Sequence, residues 1–97
     1  KIYHQVVFRF KPEVSVDQIQ HVLDTGRAML ESIPKVATVI VGTVAQQDSD
    51  YTHGLVTGFK NNEDLQSYRS HPDHRDWLID IYRPLVEESL VTDIVAP

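Results

Sequence analysis

Apolar and polar positions alternate cleanly over residues 2–10. Ile2, His4, Val6, Phe8 and Phe10 fall on one face, and Tyr3, Gln5, Val7 and Arg9 on the other. A period of two is that of a strand, and it puts His4 on the more apolar face. Lys11-Pro12 ends the pattern. From Ser15 the period lengthens to that of a helix. Val16, Ile19, Val22, Leu23, Met29, Leu30 and Ile33 share one stripe, with Gly26 among them as a point of close approach to the sheet. Ser15 followed by Gln18 is a capping-box pair, and Pro34 stops the helix at about Ile33.

Residues 36–44 are rich in Val, Ile and Thr and read as a second strand, followed by a polar loop to Asp50. Residues 52–59 read as a third strand. His53, Leu55, Thr57 and Phe59 lie on one face, and the small Gly54, Val56 and Gly58 on the other, where another layer can come close. Asn61 and Asn62 are candidate caps for a short helix carrying Leu65 and Tyr68 one turn apart. His71 precedes Pro72, so the helix stops there and Pro72 opens a new one. His74, Trp77, Leu78, Ile81, Tyr82 and Leu85 form its inward stripe, and Pro84 kinks or ends it. Residues 89–96 read as the last strand.

The order β-α-β-β-α-(α)-β predicts a single α+β domain spanning residues 1–97. It is the ferredoxin-like split βαβ arrangement, a four-stranded antiparallel sheet with helices on one face. Both faces of the strands carry apolar residues: Val39 and Val41 oppose Ile40, and Leu90 and Ile94 oppose Val91 and Val95. One helical layer covers one face only. The economical cover for the other is a second copy, which predicts a homodimer packed sheet to sheet.

Composition narrows the function. With 97 residues, 24% of them charged, and a net charge of −5, the chain lacks the basic face a nucleic-acid partner needs. The chain has no cysteine, which excludes disulfides, thiolate nucleophiles and Cys-ligated metal and agrees with a cytoplasmic location. No apolar run is long enough to span a bilayer, so no membrane association is expected. Lys1 opens directly into the strand pattern, and no signal peptide is expected. The four glycines are too scattered for a phosphate-binding loop, and no nucleophile motif is present.

The chemistry concentrates in Tyr68-Arg69-Ser70-His71-Pro72-Asp73-His74. Tyr and His are the side chains best suited to moving protons at neutral pH, and a proline corner fixes them in space. Two helices meeting there can bring Tyr68 and His74 to one cavity. A neutral His74 would accept a proton, and Tyr68 would hydrogen-bond a developing oxyanion or hold the imidazole in one tautomer. That pair suits enolisation, aldol-type closure, isomerisation or elimination on a small carbonyl compound. The alternative is structural: a Tyr68 with a wet hydroxyl and a His74 bonded to a backbone carbonyl. His4 and His53 face the same interior by periodicity. No compact His motif is present, so neither a metal site nor a cofactor is expected. His71 is expected to shape the turn, His21 to be solvated, Trp77 to be core, and Glu87-Glu88 to be solvated charges.

These residues also carry a resemblance. The opening strand with His4 and Phe10, Tyr51-Thr52-His53-Gly54, Phe59, the Leu65/Tyr68 helix, His71-Pro72-Asp73-His74 and the strand with Asp93 resemble the stress-responsive A/B barrel (Dabb) domain, from about residue 2 to 95. The resemblance implies a ferredoxin-like domain that dimerises into an α+β barrel. It implies that Tyr68 and His74 match the acid–base pair of the family's polyketide cyclase, and that His4 and His53 match further pocket histidines. It leaves open a non-catalytic stress-associated dimer or a ligand-binding module. Asp73 stands where that cyclase has a small apolar residue, and it is expected to raise the pKa of His74.

Overall fold

In the computed structural model, which describes residues 1–97, four strands form one antiparallel sheet: β1 (Ile2–Phe10), β2 (Thr38–Thr43), β3 (His53–Phe59) and β4 (Val86–Val95). Their spatial order is β2-β3-β1-β4. Three helices complete the domain: α1 (Val16–Ser32), α2 (Asn62–Arg69) and α3 (Pro72–Trp77), the last running into a π-helical turn at Leu78–Tyr82. This is the ferredoxin-like α+β arrangement that the element order predicts.

The ends of α1 are set locally. Ser15 Oγ accepts from the Gln18 N–H at 3.1 Å, and Gln18 Oε1 accepts from the Ser15 N–H at 2.8 Å. The helix closes before Pro34. Its buried face is Val22, Gly26, Met29 and Leu30, with Ile33 just beyond its end. Val16 does not join them: it is the first helical residue and remains 80% exposed. Gly26 approaches α3 and not the sheet. A Cβ there would stand 2.8 Å from the Trp77 ring. Trp77 is held in place from the same helix, its indole N–H donating to Thr25 Oγ1 at 3.0 Å.

Registers fix what faces the helices. His4 sits between Thr57 and Asp93, Val6 between Leu55 and Val91, and Phe8 between His53 and Ser89. Phe8, Phe59, Leu30 and Val22 form the fully buried centre between this face and α1. The other face presents Val7, Val56, Ile40, Leu90 and Ile94, and the last three are about half exposed. Gly58 on this face is explained within the sheet, because a Cβ there would strike Thr38 at 2.8 Å and Tyr3 at 3.1 Å.

β4 begins at Val86, three residues earlier than its hydrophobic pattern suggests. A register shift after Arg9 leaves Glu87 as the extra residue, and Arg9 pairs with both Glu87 and Glu88. Those two glutamates are therefore strand residues with a partner. No helix is long and apolar enough to cross a membrane.

Candidate functional site

The corner between α2 and α3 is built from backbone chemistry. α2 starts at Asn61, whose side chain accepts from the Asp64 N–H at 2.9 Å, and stops at Ser70. His71 then caps α3, its Nδ1 accepting from the Asp73 N–H at 3.1 Å, and Pro72 fills the first helical position, where a missing N–H is harmless. His71 thus shapes the turn. The break lets two side chains six positions apart approach one another. The Tyr68 and His74 ring centroids are 4.2 Å apart, with the planes at 43°.

Both rings line a cavity of about 360 Å³ between the helices and the β1/β4 side of the sheet. His4, Val6, Leu55, Trp77, Tyr82 and Val91 line it too, and Arg69, Arg83 and Ser89 add polar groups. Tyr68 also packs on Phe59, with ring centroids 5.2 Å apart, and meets His4 edge-on at 6.1 Å.

Burial decides the protonation states. Desolvation pushes the His74 imidazole below its ordinary value of 6.5. The Arg69 backbone carbonyl pulls the other way, while Coulombic interaction with His4, Arg69 and His71 adds to the depression. No well-formed hydrogen bond reaches His74 Nδ1, which is shut off from solvent, so Nε2 is the nitrogen available to a ligand. Tyr68 moves in the opposite direction: burial drives its phenol well above 10, offset only in part by Arg69. At neutral pH the cavity therefore holds an uncharged imidazole beside a phenol that keeps its proton. Asp73 does not act on His74. It is exposed, and its carboxylate lies 3.9 Å from His71 Nδ1.

A second polar system forms the floor. His4 Nδ1 and Asp93 Oδ1 are 2.6 Å apart, and Arg69 Nη2 donates to Asp93 Oδ2 at 2.8 Å. A carboxylate only accepts, so Nδ1 of His4 carries the proton, and the bridge ties β1, β4 and α2 together. Tyr82 Oη is likewise closed to solvent; desolvation raises its pKa, and the nearby Ser89 hydroxyl offsets part of this.

The structure thus gathers Tyr68, His74 and His4, but His53 does not line the cavity. His53 pairs with Phe8, four residues along β1 from His4, a separation of roughly 14 Å at ~3.4 Å per residue. There it stacks on Phe8, meets Phe10 edge-on and bonds Thr52 Oγ1 through Nδ1 at 2.8 Å. Desolvation lowers its pKa. Sharing a face therefore did not bring it to the site. No three His, Asp or Glu side chains converge closely enough to hold a metal ion.

A family model described as the stress responsive A/B barrel domain, Dabb, matches residues 2–96. The chain belongs to the Dabb family. Among its relatives, olivetolic acid cyclase of Cannabis sativa is 30% identical over 95 residues, covering 95% of this chain and 93% of the cyclase. A Dabb protein of ferredoxin-like fold from Mesorhizobium loti superposes with a TM-score of 0.91 at 27% identity, over 99% of this chain and 96% of that one. A dimeric ferredoxin-like protein of unknown function from Thermobifida fusca gives 0.86 at 23% identity, over 98% and 90%. Within this Dabb domain the Arg83 side chain and the Tyr82 hydroxyl are not singled out by local pattern. Asp93 alone carries a sequence signal: it is an acid between Val91 and Val95 on a strand's inner face.

Proposed function

We propose that the protein is a cofactor-free homodimer in which each subunit holds a small phenolic or β-dicarbonyl-like molecule and acts on it by acid–base chemistry, as a lyase or cyclase. The observation that carries this reading is an uncharged imidazole and a protonated phenol with ring centroids 4.2 Å apart, in a cavity large enough for a small ligand. His74 Nε2 takes a proton from the carbon between two carbonyls, and the electron pair moves to a carbonyl oxygen. Tyr68 orients the substrate or donates a hydrogen bond to that oxyanion, and His4 lines the wall. The proton on His74 then passes to the alkoxide formed when the new C–C bond closes. Every step moves protons and electron pairs only. Kinship with olivetolic acid cyclase supports this class of chemistry.

The homodimer rests on the half-exposed Ile40, Leu90 and Ile94, which share the face away from the helices, and on the dimeric state of the Thermobifida fusca relative. A second reading, a non-catalytic stress-associated dimer, is favoured by the satisfied His4–Asp93–Arg69 bridge, which stitches three elements together as a structural network would.

A thermal-shift panel of small phenols and β-keto esters separates the two. A ligand at 100 times its dissociation constant adds about 2.7 kcal/mol of stability. Stabilisation that disappears on enlarging Leu55 to Trp, inside the cavity, supports the pocket reading. A panel without a single shift supports the structural one.

A further inference from the structure

The cavity carries a charge pattern opposite to that of the molecule. The chain has 14 Asp and Glu against 9 Lys and Arg, yet the cavity lining includes two arginines and no carboxylate. The nearest acid is spent: Asp93 engages His4 through one oxygen and Arg69 through the other. Arg69 is thereby paired, but Arg83 is not. It belongs to none of the ion pairs of the chain. Glu87 and Glu88, its neighbours in sequence, are taken by Arg9.

The backbone of Arg83 is also unusually well placed. It follows the π-helical turn Leu78–Tyr82, and its N–H donates to the Leu78 carbonyl at 2.9 Å. Arg83 keeps a helical backbone, φ −59° and ψ −38°, although Pro84 follows it. A π-helical turn is a local distortion that is often found at functional sites. Here it sets the origin of one long cationic side chain at the cavity while Tyr82, the last residue of the turn, lines the same wall.

We propose that the cavity selects a carboxylate-bearing substrate, with Arg83 pairing with the carboxylate while the phenolic or dicarbonyl end reaches Tyr68 and His74. The proposal rests on the acid–base reading of this cavity and adds the charge of what it accepts. A guanidinium presents a planar fork of donors that matches a carboxylate through two parallel hydrogen bonds.

The test compares para-hydroxybenzoate with its uncharged amide, para-hydroxybenzamide, by calorimetry or by chemical-shift titration. The acid is expected to bind the wild-type protein about tenfold more tightly than the amide, with an advantage that shrinks as salt rises. Arg83→Gln should bring the acid to the level of the amide and leave the amide unchanged. Arg83→Lys should restore part of the difference. Equal affinity of acid and amide for the wild type, or a preference that survives Arg83→Gln, overturns the proposal and leaves the phenol pocket standing. Failure of both probes to bind removes the phenol reading and the proposal with it.

Discussion

The rings of Tyr68 and His74 stand 4.2 Å apart between centroids although a proline corner separates the helices that carry them. The corner sets this spacing from both sides, through the Ser70 end of α2 and the His71 cap on α3. Burial then gives the two groups opposite tendencies. The imidazole loses affinity for its proton and the phenol holds its own more firmly. A base and a donor arise from one desolvated environment.

Tyr68→Phe separates function from structure. No protein group hydrogen-bonds the Tyr68 hydroxyl, and its ring packing on Phe59 and His74 survives the change. Stability by chemical denaturation should stay within about 1 kcal/mol of wild type. Turnover should fall about 10²-fold, the effect of removing one oxyanion donor. A large loss of stability would identify Tyr68 as a structural residue.

The pH dependence follows from the two shifts. His74 is useful as a base only when neutral. Its folded pKa lies below 6.5, so kcat/KM should be flat at neutral pH and fall only as the pH drops below 6.5. Tyr68 donates only while protonated, and its pKa lies above 10, so no loss from its ionisation should appear below pH 10. An acid limb centred above 6.5 contradicts the desolvated imidazole; titrating the His74 ring by NMR checks it independently.

Gly26→Ala should destabilise the protein even though alanine is the better helix former. The propensity gain is about 1 kcal/mol. The new methyl would sit 2.8 Å from the Trp77 ring, and forcing a packed interior apart costs about 1–3 kcal/mol. The clash should win, giving a lower denaturation midpoint. Because Trp77 also lines the cavity, its fluorescence should report the displacement.

The fold was legible because its signals are local. Ser15 with Gln18 announces the start of α1, Pro34 its end, and alternation from Ile2 to Phe10 names β1 and its inner face. What sequence could not show depends on register and on contacts across the chain. Periodicity puts His4 and His53 on one face, but only the pairing of His53 with Phe8 reveals that they are far apart along it. Asp93 meets His4 because β4 lies beside β1 in that register. Asp73 stands next to His74 in sequence, yet the turn of α3 sends its carboxylate to solvent and toward His71. Gly26 announced a close approach, and only the packing of α1 on α3 identifies Trp77 as what approaches.

The proposed dimer is testable without a substrate. Introducing Glu at both Leu90 and Ile94 puts charge on the half-exposed apolar face while leaving the cavity lining intact. Sedimentation should show a dimer for wild type and a folded monomer for the double variant. A monomeric wild type at micromolar concentration would remove the dimer from the account.

Hydrogen–deuterium exchange at the acidic carbon of a β-keto ester, followed by NMR in heavy water with catalytic amounts of protein, isolates the step assigned to His74. It reads proton abstraction alone and needs no knowledge of the natural product. Wild-type protein should accelerate the exchange, Tyr68→Phe should weaken the acceleration, and His74→Ala should abolish it while circular dichroism and mass remain those of the folded assembly. Exchange by His74→Ala at the wild-type rate, for any ester that the wild type accelerates, would contradict the assignment of His74 as the base.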